Sequence, residues 1–162
     1  MPEARWWKGQ RGEWYVVAQV ALFVLLVIGP RTWRGWPGWV FPDHVFVRVV
    51  GGALLLAGAC LLVAGGAKLG PTLTPLPYPQ RGGKLQQGGA FCIVRHPMYC
   101  GGILAAFGWA IVTQGWLTLA YAALVFAFAD VKSRREEAWL AAKYPEYTAY
   151  RSRVRRLIPF VY

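Results

Sequence analysis

Three short stretches of the chain carry side chains able to do chemistry. Arg95-His96-Pro97-Met98-Tyr99 brings a guanidinium, an imidazole and a phenol close together. Pro97 suits the first turn of a helix, which would put Arg95 and His96 at a helix N-terminus, where free N–H groups attract a carboxylate or phosphate. Glu136-Glu137 follows Lys132, Arg134 and Arg135 on an unbroken helical pattern, and offers either charge for a bound cation or a solvated face of ion pairs. Tyr147, Tyr150 and Val154 are spaced to share one face of a short helix, a pattern that also suits an amphipathic helix lying on a membrane. The glycines nearby, Gly82-Gly83 and Gly88-Gly89, match neither a Walker loop nor a dinucleotide fingerprint. His44 and His96 are the only histidines, and Cys60, Cys92 and Cys100 have no ligand spacing with them, so no metal site is expected. The cysteines read as reduced thiols.

The elements that must position these groups are apolar. The 162 residues are 56% hydrophobic and 15% charged, with nine Trp, yet 18 Lys and Arg against 7 Asp and Glu leave a net charge of +11. A nucleic-acid binder spreads such charge over a polar surface, and here the tail arginines alternate with tyrosines and acids, so no nucleic-acid partner is expected. The composition predicts an all-α, polytopic membrane protein forming one domain over residues 1–162. About four transmembrane helices are expected, near 14–29, 45–69, 99–113 and 116–131, followed by a short C-terminal cytoplasmic amphipathic helix. The first apolar run lacks a cleavage pattern after it and is read as a span rather than a removed signal. Arg48, near the start of the second, can snorkel to the surface. Only Thr113-Gln114-Gly115 separates the last two spans, which predicts an antiparallel hairpin. Pro71, Pro75, Pro77 and Pro79 keep the start of the long connection extended.

Charge placement orients this arrangement. Arg5, Lys8 and Arg11 before the first span, Lys68, Arg81, Lys84 and Arg95 in the long connection and the basic tail all fall on one side, leaving Arg31 and Arg34 on the other. The positive-inside rule then puts both termini and the long connection in the cytoplasm. Gly51, Gly52, Gly58, Gly65, Gly66, Gly101, Gly102 and Gly108 allow close helix approach, or leave grooves for a lipidic molecule to enter sideways.

Together these stretches resemble the membrane-embedded methyltransferases that include isoprenylcysteine carboxyl methyltransferase and phospholipid (phosphatidylethanolamine) N-methyltransferase. The resemblance runs from Thr74 to Pro159: Thr-Pro-Leu-Pro at 74–77, Leu85, Gly89-Ala90-Phe91, Arg95-His96-Pro97-Met98-Tyr99 and Gly101, Glu136-Glu137 with Leu140, then Glu146-Tyr147, Tyr150, Arg153-Val154 and Ile158-Pro159. The chain departs from the pattern where Ala90 and Phe91 replace the usual Pro and Tyr, and where Tyr144-Pro145 replaces Phe-Gly.

The resemblance implies S-adenosylmethionine as cofactor, held on the cytoplasmic side by the regions 74–102 and 130–159. It points to Gly89, Phe91, Arg95, His96, Pro97, Tyr99, Gly101, Glu136, Glu137, Tyr147 and Tyr150 as cofactor-binding residues. Glu136, Arg134 and Arg153 are the candidates for a catalytic part, the arginines as carboxylate clamps. The expected partners are membrane lipids and a lipidic or prenylated acceptor, whose carboxylate, amine or thiol character stays open. Two alternatives compete: a nicotinamide-dependent, sterol-reductase-like membrane enzyme, and a non-enzymatic membrane scaffold.

Overall fold

The computed structural model describes residues 12–34, 36, 39, 44–78 and 83–162. Arg5, Lys8 and Arg11, with Pro79, Arg81 and Gly82, lie outside them, so part of the charge argument rests on sequence alone. The described residues form five α-helices: α1 (Glu13–Ile28), α2 (His44–Leu69), α3 (Pro97–Thr113), α4 (Trp116–Lys143) and α5 (Tyr147–Arg153). Short 3-10 turns follow α2 at Gly70–Thr72 and precede α3 at Gly89–Cys92. No strand occurs among the described residues, and Val94 and Arg155 form one isolated parallel bridge.

Two helices are long and apolar enough to cross a membrane: α2, which with its following turn spans His44–Thr72, and α4. The other two, α1 and α3, are apolar but have 16 and 17 residues, a little short of the roughly 20 that cross the hydrocarbon upright. Val17, Val20, Val24, Leu56 and Val63 point outward from α1 and α2, the surface lipid would cover. As the short link requires, α3 and α4 form an antiparallel hairpin, turned at Gln114 with φ 50°. Past the expected span end at residue 131, α4 continues to Lys143 as its unbroken helical pattern predicts, carrying its charged half from Asp130 onward past its apolar portion.

The closest helix pair is α2 against α3, and its spacing is set by glycine. A Cβ at Gly51 would meet the Gly108 carbonyl oxygen at 3.0 Å, and one at Gly58 would lie 2.6 Å from that of Gly101. Gly65 abuts Pro97 and Met98. These contacts run in opposite directions along the two helices, so α2 and α3 are antiparallel, with backbones touching as in small-residue membrane interfaces. Gly58→Val is therefore expected to force the pair apart and lower stability by about 1–3 kcal/mol, the usual range for overpacking, measured as a fall in melting temperature in detergent. An unchanged melting temperature would mean the helices separate without cost. Leu26 of α1, Ala106 and Ala110 of α3, and Ala122 and Val125 of α4 pack as a buried cluster that ties α1 to the hairpin.

The tail folds back onto this bundle. Leu157 packs with Ile103 and Ala129. Tyr147 and Tyr150 of α5, at 1% and 3% exposure, face the protein and not an outer surface, so α5 is a docked helix whose aromatic face is already covered. It is not free to lie on a membrane by that face.

Candidate active site

The N-terminus of α3 is stitched to the tail. His96 caps the helix and Pro97 occupies its first turn, as the sequence requires. The backbone N–H of Arg95 donates to Arg155 O at 2.7 Å and that of His96 to Arg156 O at 3.2 Å. The Arg95 guanidinium donates to Glu137 Oε1 at 2.8 Å, to Arg151 O at 2.9 Å and to Val154 O. Arg95 and these two amides, expected as donors to an anionic ligand, are thus committed to holding the tail in place.

The two glutamates have different surroundings. Glu137 is 4% exposed and receives both Arg95 and His96, whose Nε2 lies 3.3 Å from Oε1. Burial alone would raise its pKa, but the hydrogen bonds from His96 and Arg95 outweigh it and hold the carboxyl at about 2. An ionised carboxylate only accepts, so Nε2 carries the proton in this contact. Glu136 is more open: its side chain is 25% exposed, and its Oε2 accepts a 2.7 Å hydrogen bond from the Tyr99 hydroxyl. The Tyr99 ring stacks on His96, with centroids 5.3 Å apart and an interplanar angle of 12°. His96 Nδ1 stands 3.7 Å from Glu136 Oε2, beyond hydrogen-bonding distance.

Two adjoining cavities meet at this network. The larger, about 360 Å³, runs among α1, α2, α3 and α4 and is walled by apolar residues such as Phe23, Leu62, Ala105, Val125 and Phe128. The smaller, about 130 Å³, lies under the tail and the long connection, lined by Pro77, Gly83, Lys84, Leu85, Gln86, Arg95, Leu140, Tyr144, Tyr147 and Tyr150. Leu69, Thr74, Leu76, Phe91, His96 and Glu136 line both. The roof of the smaller cavity is fixed by Tyr144, whose hydroxyl donates to Gly83 O at 2.6 Å, and by Tyr150, which donates to Phe91 O at 2.6 Å. Burial pushes the Tyr150 hydroxyl up to about 12, so it keeps its proton for that bond. The Tyr147 hydroxyl is buried without a hydrogen bond of good geometry; burial and the nearby Glu137 charge push its pKa up as well.

The sequence-derived candidates therefore divide. Phe91, His96 and Glu136 sit in the shared wall, Pro97 and Tyr99 in the larger cavity, and Arg95, Tyr147 and Tyr150 in the smaller. Glu137 stands behind them as their electrostatic anchor. Gly101 is not in the lining: it packs against Gly58. Gly89 lies in an exposed turn at φ +64°, beside the Lys68 side chain. Arg134 is exposed and turns away to pair with Asp130 at 2.8 Å and with the Tyr162 hydroxyl. Arg153 is also exposed, donating to Ala149 O and Gln87 Oε1. Neither arginine reaches the cavities. Two lining residues that the sequence did not single out are Lys132 and Gln19; the one available signal was that Lys132 precedes Glu136 by four positions, on the same helix face.

Comparison with known proteins places this architecture. Phospholipid methyltransferase is the family whose model matches, over residues 46–147. The cobalt-zinc-cadmium resistance protein CzcN of Cupriavidus metallidurans is 29% identical over 151 residues, covering 91% of this chain and 62% of that protein. Steroid 5-alpha-reductase DET2 of Gossypium hirsutum is 30% identical over 111 residues, 66% of this chain and 42% of the reductase. Its namesake in Arabidopsis thaliana is 32% identical over 92 residues, 56% of this chain and 34% of the reductase. The chain thus spans less than two thirds of the length of each of these relatives. The family match begins inside α2 and ends at the first residue of α5, enclosing the α3 entry, the glutamate pair and the shared cavity wall, and the chain belongs to the phospholipid methyltransferase family.

Proposed function

We propose that this chain, as a single domain over 1–162, is an integral membrane methyltransferase that uses S-adenosylmethionine to methylate a lipidic or prenylated acceptor, in the manner of isoprenylcysteine carboxyl methyltransferase. The observation that carries the reading is the placement of Glu136: one partly open carboxylate in the wall between a cavity under the polar tail and an apolar cavity among the helices. The residues present fit the cofactor's chemistry. Glu136 suits an ammonium, and the Phe91 and Tyr99 rings suit an adenine or a sulfonium. When bound, the cofactor supplies a methyl group already activated by the positive charge on sulfur. The protein's part is then alignment and exclusion of water. His96 and Tyr99 form a stacked wall, Tyr99 holds the Glu136 carboxylate in one orientation, and the apolar residues of the larger cavity keep the acceptor side dry.

In this reading both termini and the site are cytoplasmic. Lys84, Arg95 and the tail's basic residues gather at the same end as the glutamates, whereas Arg31 lies at the opposite end, where its carbonyl accepts from Leu117 N. A nicotinamide-dependent reductase is the competing reading, favoured by the similarity to the two steroid reductases. Calorimetry on the purified protein in nanodiscs separates them: S-adenosylmethionine and S-adenosylhomocysteine are expected to bind and reduced nicotinamide dinucleotides not. The reverse result would replace the methyltransferase with the reductase.

A further inference from the structure

A buried ammonium at the edge of an apolar cavity is costly unless a negative group meets it. Lys132 is 2% exposed and lines the larger cavity. Its Nζ donates to Gln19 Oε1 at 2.6 Å and to Pro75 O at 3.3 Å, and lies 5.2 Å from the centre of the Tyr99 ring. Each of these partners is neutral. Among the described residues no carboxylate lies within ion-pair distance of it. An ammonium has three N–H donors, and two are used. Glu136 is one turn further along α4 and its charge acts on Lys132 across the cavity wall, but its Oε2 is taken by the Tyr99 hydroxyl and it forms no ion pair with Lys132.

The arrangement also differs from a lysine that snorkels to the surface. Gln19 comes from α1, Pro75 from the long connection and Lys132 from α4, so three separate elements fix the ammonium against the cavity. We propose that Lys132, oriented by Gln19 and the Pro75 carbonyl, is the anion-binding group of the larger cavity, which takes an amphiphile whose carboxylate or phosphate oxygen meets Lys132 while its apolar body lies along Phe23, Leu62 and Phe128. This rests on the reading that the larger cavity receives the methyl acceptor, and it names that acceptor's chemical class. It also gives the sideways entry between spans a polar end point.

The test is calorimetric binding of dodecanoate, dodecyl phosphate and dodecanol to the full chain in zwitterionic nanodiscs at pH 8, with empty nanodiscs subtracted. At least one anion is expected to bind about tenfold tighter than the alcohol. Lys132→Met should erase that preference while leaving dodecanol affinity unchanged, and Lys132→Arg should retain it. Preference for dodecanoate identifies a carboxylate lipid as the source of the anion, and preference for dodecyl phosphate a phospholipid headgroup. Equal binding of all three probes by the parent protein overturns the proposal, as does a Lys132→Met variant that keeps the preference. Should Lys132→Met not fold, Gln19→Leu takes its place, with a severalfold loss expected for the anions alone; unchanged anion affinity there counts against the proposal. S-adenosylhomocysteine, titrated into the same preparation, separates the two readings: anion preference without its binding removes the methyltransferase and leaves the anion site, and the converse removes only the anion site.

Discussion

Glu137→Ala is expected to destabilise the protein by about 3–5 kcal/mol, the cost of breaking a buried ion pair from one side. The Arg95 side chain, 9% exposed against 4% for Glu137, would be left without its carboxylate. Arg95 is also the group that holds Arg151 O and Val154 O, so its loss of orientation should free the tail and uncover Tyr147 and Tyr150. The melting temperature in detergent should fall by roughly 10 °C, and limited proteolysis should cut between α4 and the C-terminus. A fall of under about 2 °C would show that the pair does not hold the tail.

The same residue sets an acid limit. The folded-state pKa of Glu137 is about 2, against an ordinary value of 4.5. A depressed carboxyl pKa contributes stability that is fully present above about pH 4.5 and is lost as pH falls toward 2, worth roughly 3 kcal/mol for this shift. Glu137→Gln, which keeps the shape without the charge, should remove most of that acid dependence from the melting curve. A variant with the parent's full slope between pH 5 and 3 would assign the acid sensitivity to other carboxylates, such as Asp130, which Arg134 and Arg156 hold.

How far the sequence carried depends on how local each feature is. The apolar runs and Pro97 fixed the helices closely, because span length and proline geometry act within one segment: 45–69 became His44–Leu69, and 99–113 became Pro97–Thr113. The continuation of α4 past its apolar run was legible too, since nothing after Val131 breaks a helix and the helix runs on to Lys143. Pairings between segments were not legible. Arg95 reaches Glu137 across 42 positions, and this depends on how α3 and α4 rotate against each other. Rotation also separates neighbours on one helix. Arg134 stands two residues before Glu136, about 200° around the axis, so closeness in sequence places it on the far side with Asp130. Lys132 and Glu136 share the inward face, and Lys132 passed as one more basic residue of the tail because its burial is created by α1 and the long connection.

Glu136→Gln is expected to weaken S-adenosylmethionine and S-adenosylhomocysteine binding by between about 10-fold and 100-fold, the range for losing a partly desolvated, charge-assisted bond of about 1.5–3 kcal/mol. The amide oxygen can still accept from the Tyr99 hydroxyl, so the wall should keep its shape and the melting temperature should stay close to that of the parent. Methyl transfer at limiting cofactor should fall with the affinity. A change below twofold would remove Glu136 from the ligand's contacts, and with it the observation on which the functional reading rests. The contrast with the adjacent residue makes the result decisive: substitution of Glu137 should act mainly on stability and substitution of Glu136 mainly on affinity, because one carboxylate is saturated by Arg95 and His96 while the other presents its charge to the cavities.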